Sequence, residues 1–283
     1  MNFIAMIFAL VLLQVWGSAS RVHQDDWVRR LQTFATDLGM SRFVGFVFSI
    51  AAPVLLVHLL LNALQPLLFG LLWIAAAVLI LLYSFGRGDF QALLGRYRNY
   101  CQSENFESAY LDAQSELFYE PGEEGPASPQ EFQQQIQRCL LYEAYQRWFA
   151  VLFYFVLIGP EGALAYRLLQ LCVHGSEEEM TKRVLFYADW VPARLLAATF
   201  TLAGDFIRSS DVFIASFKES TETAASILLV TARAALGAQG ADDVESENGF
   251  GDVAGSQLAE MEALLTRSAT SWLVIISVLV LLL

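Results

Sequence analysis

The fold is decided by Trp148 to Val173, WFAVLFYFVLIGPEGALAYRLLQLCV. These 26 residues are almost all apolar, and about 20 helical residues are enough to cross a bilayer core. At the centre, Gly159, Pro160, Glu161 and Gly162 interrupt the run. Pro160 has no amide donor and the glycines are poor helix formers, so one continuous helix is not expected. Backbone broken at membrane depth is tolerated only where protein or a water-filled cavity covers its polar groups. The expected geometry is two short apolar helices meeting at a buried polar kink. Glu161 then falls near the N-terminus of the second helix, where the dipole favours a negative charge. Arg167 is the only other charge in the stretch. Intramembrane charges pair, face an interior or do work. The plainer reading is a proline-kinked helix with Glu161 wetted at a membrane edge.

Composition agrees with this stretch. The chain has 283 residues, 56% hydrophobic and only 16% charged, with a mean hydropathy of +0.47. That describes a mainly α, polytopic integral membrane protein with helical cytoplasmic segments, whose first partner is the lipid bilayer. A net charge of −12 excludes the basic face of a nucleic-acid binder. Cys101, Cys139 and Cys172 form no CxxC or Cys/His cluster, so neither a disulfide framework nor a metal site is expected.

Upstream, residues 1–16 are uncharged and apolar. A secretory signal would need a basic n-region, which is missing although Ser18-Ala19-Ser20 mimics a cleavage site; an uncleaved membrane segment is preferred. Arg21, Arg29, Arg30 and Arg42 hold the following linker in the cytoplasm. Residues 43–85 read as a transmembrane hairpin, Phe43–Leu64 and Leu67–Phe85, turned at Gln65-Pro66 with arginines at both outer ends. His58, inside the first span, has no His, Cys or Asp at i±3 or i±4 and reads as a hydrogen-bonding residue of the bundle rather than a ligand.

Residues 86–147 read as a soluble helical segment, with a loop marked by Glu120-Pro121-Gly122 and Gly125-Pro126. Ser128 is the expected N-cap of the next helix, with Pro129 at N1 and Glu131 at N3. Its eight acidic residues between Asn99 and Gln137 read as a solvated face. Beyond the broken segment, residues 183–238 read as an interfacial and helical region. Asp189, Arg194 and Asp205 make its first part too polar for an ordinary span. Pro192 suits a first helical turn, which would put Arg194 where the dipole repels a cation. Asp189, Glu161 or an anionic ligand could hold it there, or it could snorkel to the headgroups. Ala197–Ala238 reads as helix, 239–262 as a flexible acidic linker, and 268–283 as a C-terminal membrane segment. With Arg267 and the hairpin ends in the cytoplasm, 148–173 must re-enter, folding at Gly159–Gly162; the alternative is a full crossing.

Two stretches carry a resemblance. LFYFVLIGPEGALAYRLL and RVLFYADWVPARLLA, through Gly159, Gly162-Ala163-Leu164, Tyr166-Arg167 and Pro192-Ala193-Arg194-Leu195, resemble the AmpE family of Gram-negative inner-membrane proteins. That family is itself similar to the CobD/CbiB cobalamin-biosynthesis proteins. The resemblance implies a multi-pass inner-membrane regulatory or signalling component linked to beta-lactamase induction. It also implies a functional link to the cytoplasmic amidase AmpD and to peptidoglycan recycling, without supplying a biochemical activity. In the CobD/CbiB enzymes the Tyr-Arg pair is followed by an asparagine and an aspartate, whereas here Leu168-Leu169-Gln170-Leu171-Cys172 follows. The candidate binding residues are Glu161, Tyr166, Arg167, Asp189 and Arg194, facing a peptidoglycan fragment or another anionic ligand. No catalytic residue, metal or cofactor is assigned, and the chain has no P-loop, HExxH or GxSxG. The alternative is a membrane enzyme of the CobD/CbiB type acting on an anionic or amphipathic substrate. A transporter would need repeated halves and more spans.

Overall fold

A computed structural model describes residues 1–16, 25–85, 89–117, 126, 128–173, 179–218, 221–237 and 250–282. Ser18-Ala19-Ser20, Arg21, Arg87 and the loop at Glu120–Gly125 lie outside the described residues. Every element among those described is helical. The chain divides into two compact units, residues 1–89 with 146–189 and 280–283, and residues 90–145 with 190–279.

In the first unit, α1 (Asn2–Trp16) lays Ala5, Met6 and Ala9 against α4 (Leu71–Ser84). α2 (Asp26–Asp37) is amphipathic and buries Val28 and Ala35. α3 (Arg42–Leu64) starts where the Ser41 hydroxyl accepts the Val44 N–H. The turn at Gln65-Pro66 is present, but the second expected span is shorter than Leu67–Phe85. Its first four residues form a 3-10 turn, and Phe69 and Gly70 take φ of +55° and +82°. That left-handed backbone stops α-helix from reaching back past Leu71, leaving 14 helical residues.

The expected break at Gly159 is observed. α8 (Ala150–Ile158) ends on Gly159 at φ +100°, and α9 (Pro160–Val173) starts with Pro160 in its first turn. The chain folds back there rather than kinking. The Tyr154 and Tyr166 rings stack at 5.1 Å, and the Gln170 amide donates to the Gln146 carbonyl at 3.1 Å. A Cβ on Gly162 would come within 2.6 Å of both Ile158 Cβ and the Tyr154 carbonyl, so only glycine lets the arms close this tightly. α9 is the centre of the unit. Its Leu164, Leu168 and Cys172 pack with Val28 against Phe46, Ile50, Val54, Val57, Ile80 and Tyr83.

In the second unit, α5 (Phe90–Gln102), α6 (Phe106–Glu116) and α7 (Pro129–Ala144) form the helical segment expected after the hairpin. The Ser128 hydroxyl accepts the Glu131 N–H at 3.1 Å, as the capping pattern requires. A π-helical turn, Tyr145–Phe149, connects α7 to α8. α10 (Glu179–Ala203) runs unbroken with Pro192 inside it, which corrects the expected helix start at that proline. Pro192 cannot donate to the carbonyl of Ala188, one turn back, and the Tyr154 hydroxyl donates to it instead at 2.8 Å. With that carbonyl satisfied, the helix continues.

The expected helix over Ala197–Ala238 is broken at Gly204-Asp205. α11 (Phe206–Lys218) and α12 (Ala224–Ala235) follow separately. Asp205 caps α11 by accepting from the N–H groups of Ile207 and Arg208, and its own N–H donates to the Ala235 carbonyl at 2.7 Å. A Cβ on Gly204 would lie 2.4 Å from that carbonyl.

The acidic stretch is corrected as well. Its residues 239–249 lie outside the described residues, but 250–262 open a 33-residue helix, α13 (Phe250–Leu282), that also contains the C-terminal segment. Ala254, Leu258, Met261, Leu264 and Leu265 form its buried stripe. Gly251 permits close approach to α5, where a Cβ would run into the Cys101 carbonyl, and Gly255 faces Arg98 and Gln102 at ordinary contact distance. Gln133 donates to the Ala254 carbonyl, Gln137 to Gln257, and Arg98 pairs with Glu262 at 2.7 Å.

Candidate functional site

Four of the five expected site residues belong to the first unit, where the α8–α9 hairpin positions three of them. Glu161 lies in the first turn of α9, directly after the left-handed Gly159, and its carboxylate curls back over that turn. His58 Nδ1 is 3.2 Å from Glu161 Oε1, and Asn62 Nδ2 is 3.0 Å from His58 Nε2. A carboxylate can only accept, so the Nδ1 that meets it is the donor. The histidine read as a bundle hydrogen-bonder is therefore the partner of the carboxylate at the break.

Arg167, nearly two turns further along, does not meet Glu161. Its Nη2 donates to Asp25 Oδ2 at 3.4 Å and its Nη1 to Gln170 Oε1 at 3.1 Å. Asp25 also accepts from the Tyr83 hydroxyl at 3.1 Å, and that oxygen accepts from Trp27 Nε1 at 3.0 Å. Arg167 and Asp25 are both nearly buried, at 12% and 9% side-chain exposure, so this pair is shielded from solvent. It joins α9 to the start of α2. Sequence reasoning missed Asp25, because an acidic pair beside Trp27 looks like an ordinary helix N-terminus.

Tyr166 and Asp189 are the two expected residues that the structure brings into direct contact. The tyrosine hydroxyl donates to Asp189 Oδ1 at 2.6 Å, and Asp189 is 2% exposed. At this distance the bond lies at the short end of the O–H···O range. Tyr154, stacked on Tyr166, holds the preceding carbonyl of α10, so two tyrosines of the hairpin grip successive residues of that helix.

Arg194 belongs to the second unit and lies inside α10, not in a first turn. It is 3% exposed. Its Nη1 donates to the Trp190 carbonyl at 3.2 Å and its Nη2 to the Ser216 carbonyl at 3.0 Å. The guanidinium carbon lies 4.1 Å above the Trp190 ring. Ser216 is in the last turn of α11, the negative end of that helix, so a helix C-terminus meets the positive charge. Among the described residues, no group of three His, Cys, Asp or Glu side chains could hold a metal ion.

These features define a class first: a helical protein with buried, paired polar residues and two helices, Arg42–Leu64 and Phe250–Leu279, long and apolar enough to cross a membrane. The chain belongs to the AmpE family, whose model, described as regulatory signalling modulator protein AmpE, matches residues 1–280. No curated protein and no solved structure matches the chain. Membership makes this a regulatory protein, and its two long apolar helices point to a membrane location.

Proposed function

We propose that this protein is a multi-pass inner-membrane component that modulates beta-lactamase induction, linked through peptidoglycan recycling to the amidase AmpD, and that it acts without catalysis. The family match along residues 1–280 is the observation that carries this reading. The arrangement of the site supports it. Arg194, on which an enzyme reading leans most, donates to backbone carbonyls, and Arg167 is paired with Asp25.

The α8–α9 hairpin is proposed to enter and leave the membrane from the cytoplasmic side. Glu161 meets His58, while the α9 residues that follow Glu161 pack on α3 residues that precede His58. α9 therefore runs antiparallel to α3, and its tip stops about 9 Å short of the C-terminal end of α3.

The test is complementation of a deletion strain, read as inducible beta-lactamase. Glu161→Gln keeps an acceptor for His58 but loses the charge, so it should accumulate normally and signal poorly. Equal loss of protein and phenotype would assign Glu161 to folding instead. If induction were unchanged in the deletion strain itself, the regulatory reading would fail.

A further inference from the structure

α10 has an unusual distribution of polarity. Met180, Val184, Tyr187, Val191, Leu195 and Leu202 fall at spacings of three, four and seven residues, and all are exposed. Tyr187 and Leu202 are 71% and 72% exposed. The charged residues between Val184 and Ala203 are Asp189 and Arg194, and both are buried, at 2% and 3% exposure. A helix side facing water shows the reverse order, with charge outside and apolar residues inside. Charge returns only at the ends, with Glu179, Lys182 and Arg183 before this section and Asp205 and Arg208 after it. The section between them has 20 residues, about 30 Å of helix.

We infer that the outer stripe of α10 is a lipid-facing surface, in contact with acyl chains along Val184–Leu202. This rests on the membrane location proposed above and deepens it, because composition alone does not mark α10 as a membrane helix. Two observations fit a bilayer better than a protein partner. The exposed stripe carries no charge or hydrogen-bonding amide, and the same outward apolar pattern appears on α3 at Leu55, Leu56, Leu59 and Leu60. Pro192 fits the same setting. A proline is tolerated in a membrane helix when a neighbouring group satisfies the freed carbonyl, as Tyr154 does for Ala188.

The test uses the full chain in vesicles of phosphatidylcholine with or without brominated acyl chains. With the native cysteines replaced by alanine, Val184→Cys, Val191→Cys, Leu195→Cys and Leu202→Cys are each labelled with an environment-sensitive fluorophore. Leu56→Cys on α3 serves as the reference, and Lys182→Cys as the position outside the stripe. The stripe positions should lose fluorescence to bromine as Leu56→Cys does and resist a membrane-impermeant maleimide, whereas Lys182→Cys should react. Unquenched, reactive stripe positions beside a quenched Leu56→Cys would overturn the inference while leaving the membrane location intact. Disulfide-linked dimers through Leu195→Cys would also overturn it, assigning the face to a second copy. If Leu56→Cys itself were unquenched, the membrane location would fail and the inference with it.

Discussion

Tyr154 and Arg194 show how single side chains repair what the backbone lacks. Tyr154 answers the carbonyl that Pro192 leaves open at Ala188. Tyr154→Phe should cost about 1–3 kcal/mol, the range for a buried polar group left unpaired. In a Pro192→Ala background the new N–H can bond Ala188, so the same tyrosine change should cost clearly less. Thermal unfolding in detergent of both singles and the double variant measures this coupling; equal costs in the two backgrounds would remove the proposed link. Arg194 donates to two carbonyls and stacks on Trp190. Lysine keeps the charge but cannot reproduce that planar fork over the ring. Arg194→Lys and Arg194→Ala should therefore both lower the unfolding temperature. Full retention of stability in the lysine variant would show that any local cation suffices.

At the scale of elements, the hairpin depends on two glycines with different duties. Gly159 supplies the left-handed turn, and Gly162 supplies the close approach of the arms. Gly162→Ala adds a methyl against Ile158 and the Tyr154 carbonyl, an overpacking that typically costs about 1–3 kcal/mol. It should also separate the stacked Tyr154 and Tyr166 rings, which a change in near-ultraviolet circular dichroism would reveal. An unchanged spectrum and stability would mean the arms can part without loss. Gly251, against the Cys101 carbonyl, plays the corresponding part where α13 meets α5.

For the whole molecule, topology and thiol reactivity are open to measurement. Reporter fusions at Gln65 should read periplasmic, and those at Arg98 and Gln135 cytoplasmic; the opposite pattern would invert the proposed orientation. Burial pushes the thiols of Cys101 and Cys139 up to about 11, with Arg138 opposing and Glu143 reinforcing the shift at Cys139. The thiolate is the reactive form, so at pH 8 only about one such thiol in a thousand is ionised. Alkylation of the native protein should be slow at neutral pH, accelerate as pH rises toward 11, and become fast on denaturation. Rapid labelling at pH 7 in the folded state would contradict the burial of Cys101 and the partial burial of Cys139.

The broken stretch, the first long span and the Ser128 cap were legible in the sequence, because each depends on neighbours within a few residues. Gly159-Pro160 cannot continue a helix whatever surrounds it, and Ser128-Pro129 with Glu131 forms a local cap. The family resemblance was legible as well, since Tyr166-Arg167 and Pro192-Ala193-Arg194-Leu195 are contiguous motifs. The acidic stretch, read as a linker, was misleading: Gly251 suits a linker or a close helix contact equally, and only the presence of α5 decides between them. Pro192 was misleading in the same way, because the hydroxyl that lets α10 pass through it comes from Tyr154, 38 residues earlier. The partners of the candidate site also required tertiary structure. His58 and Glu161 are 103 residues apart, and Asp25 and Arg167 are 142 apart. Sequence by itself determined where helices must break and what they are made of. Tertiary structure decided which broken backbone groups found partners and which charges met, because those depend on groups that only folding brings within hydrogen-bonding distance.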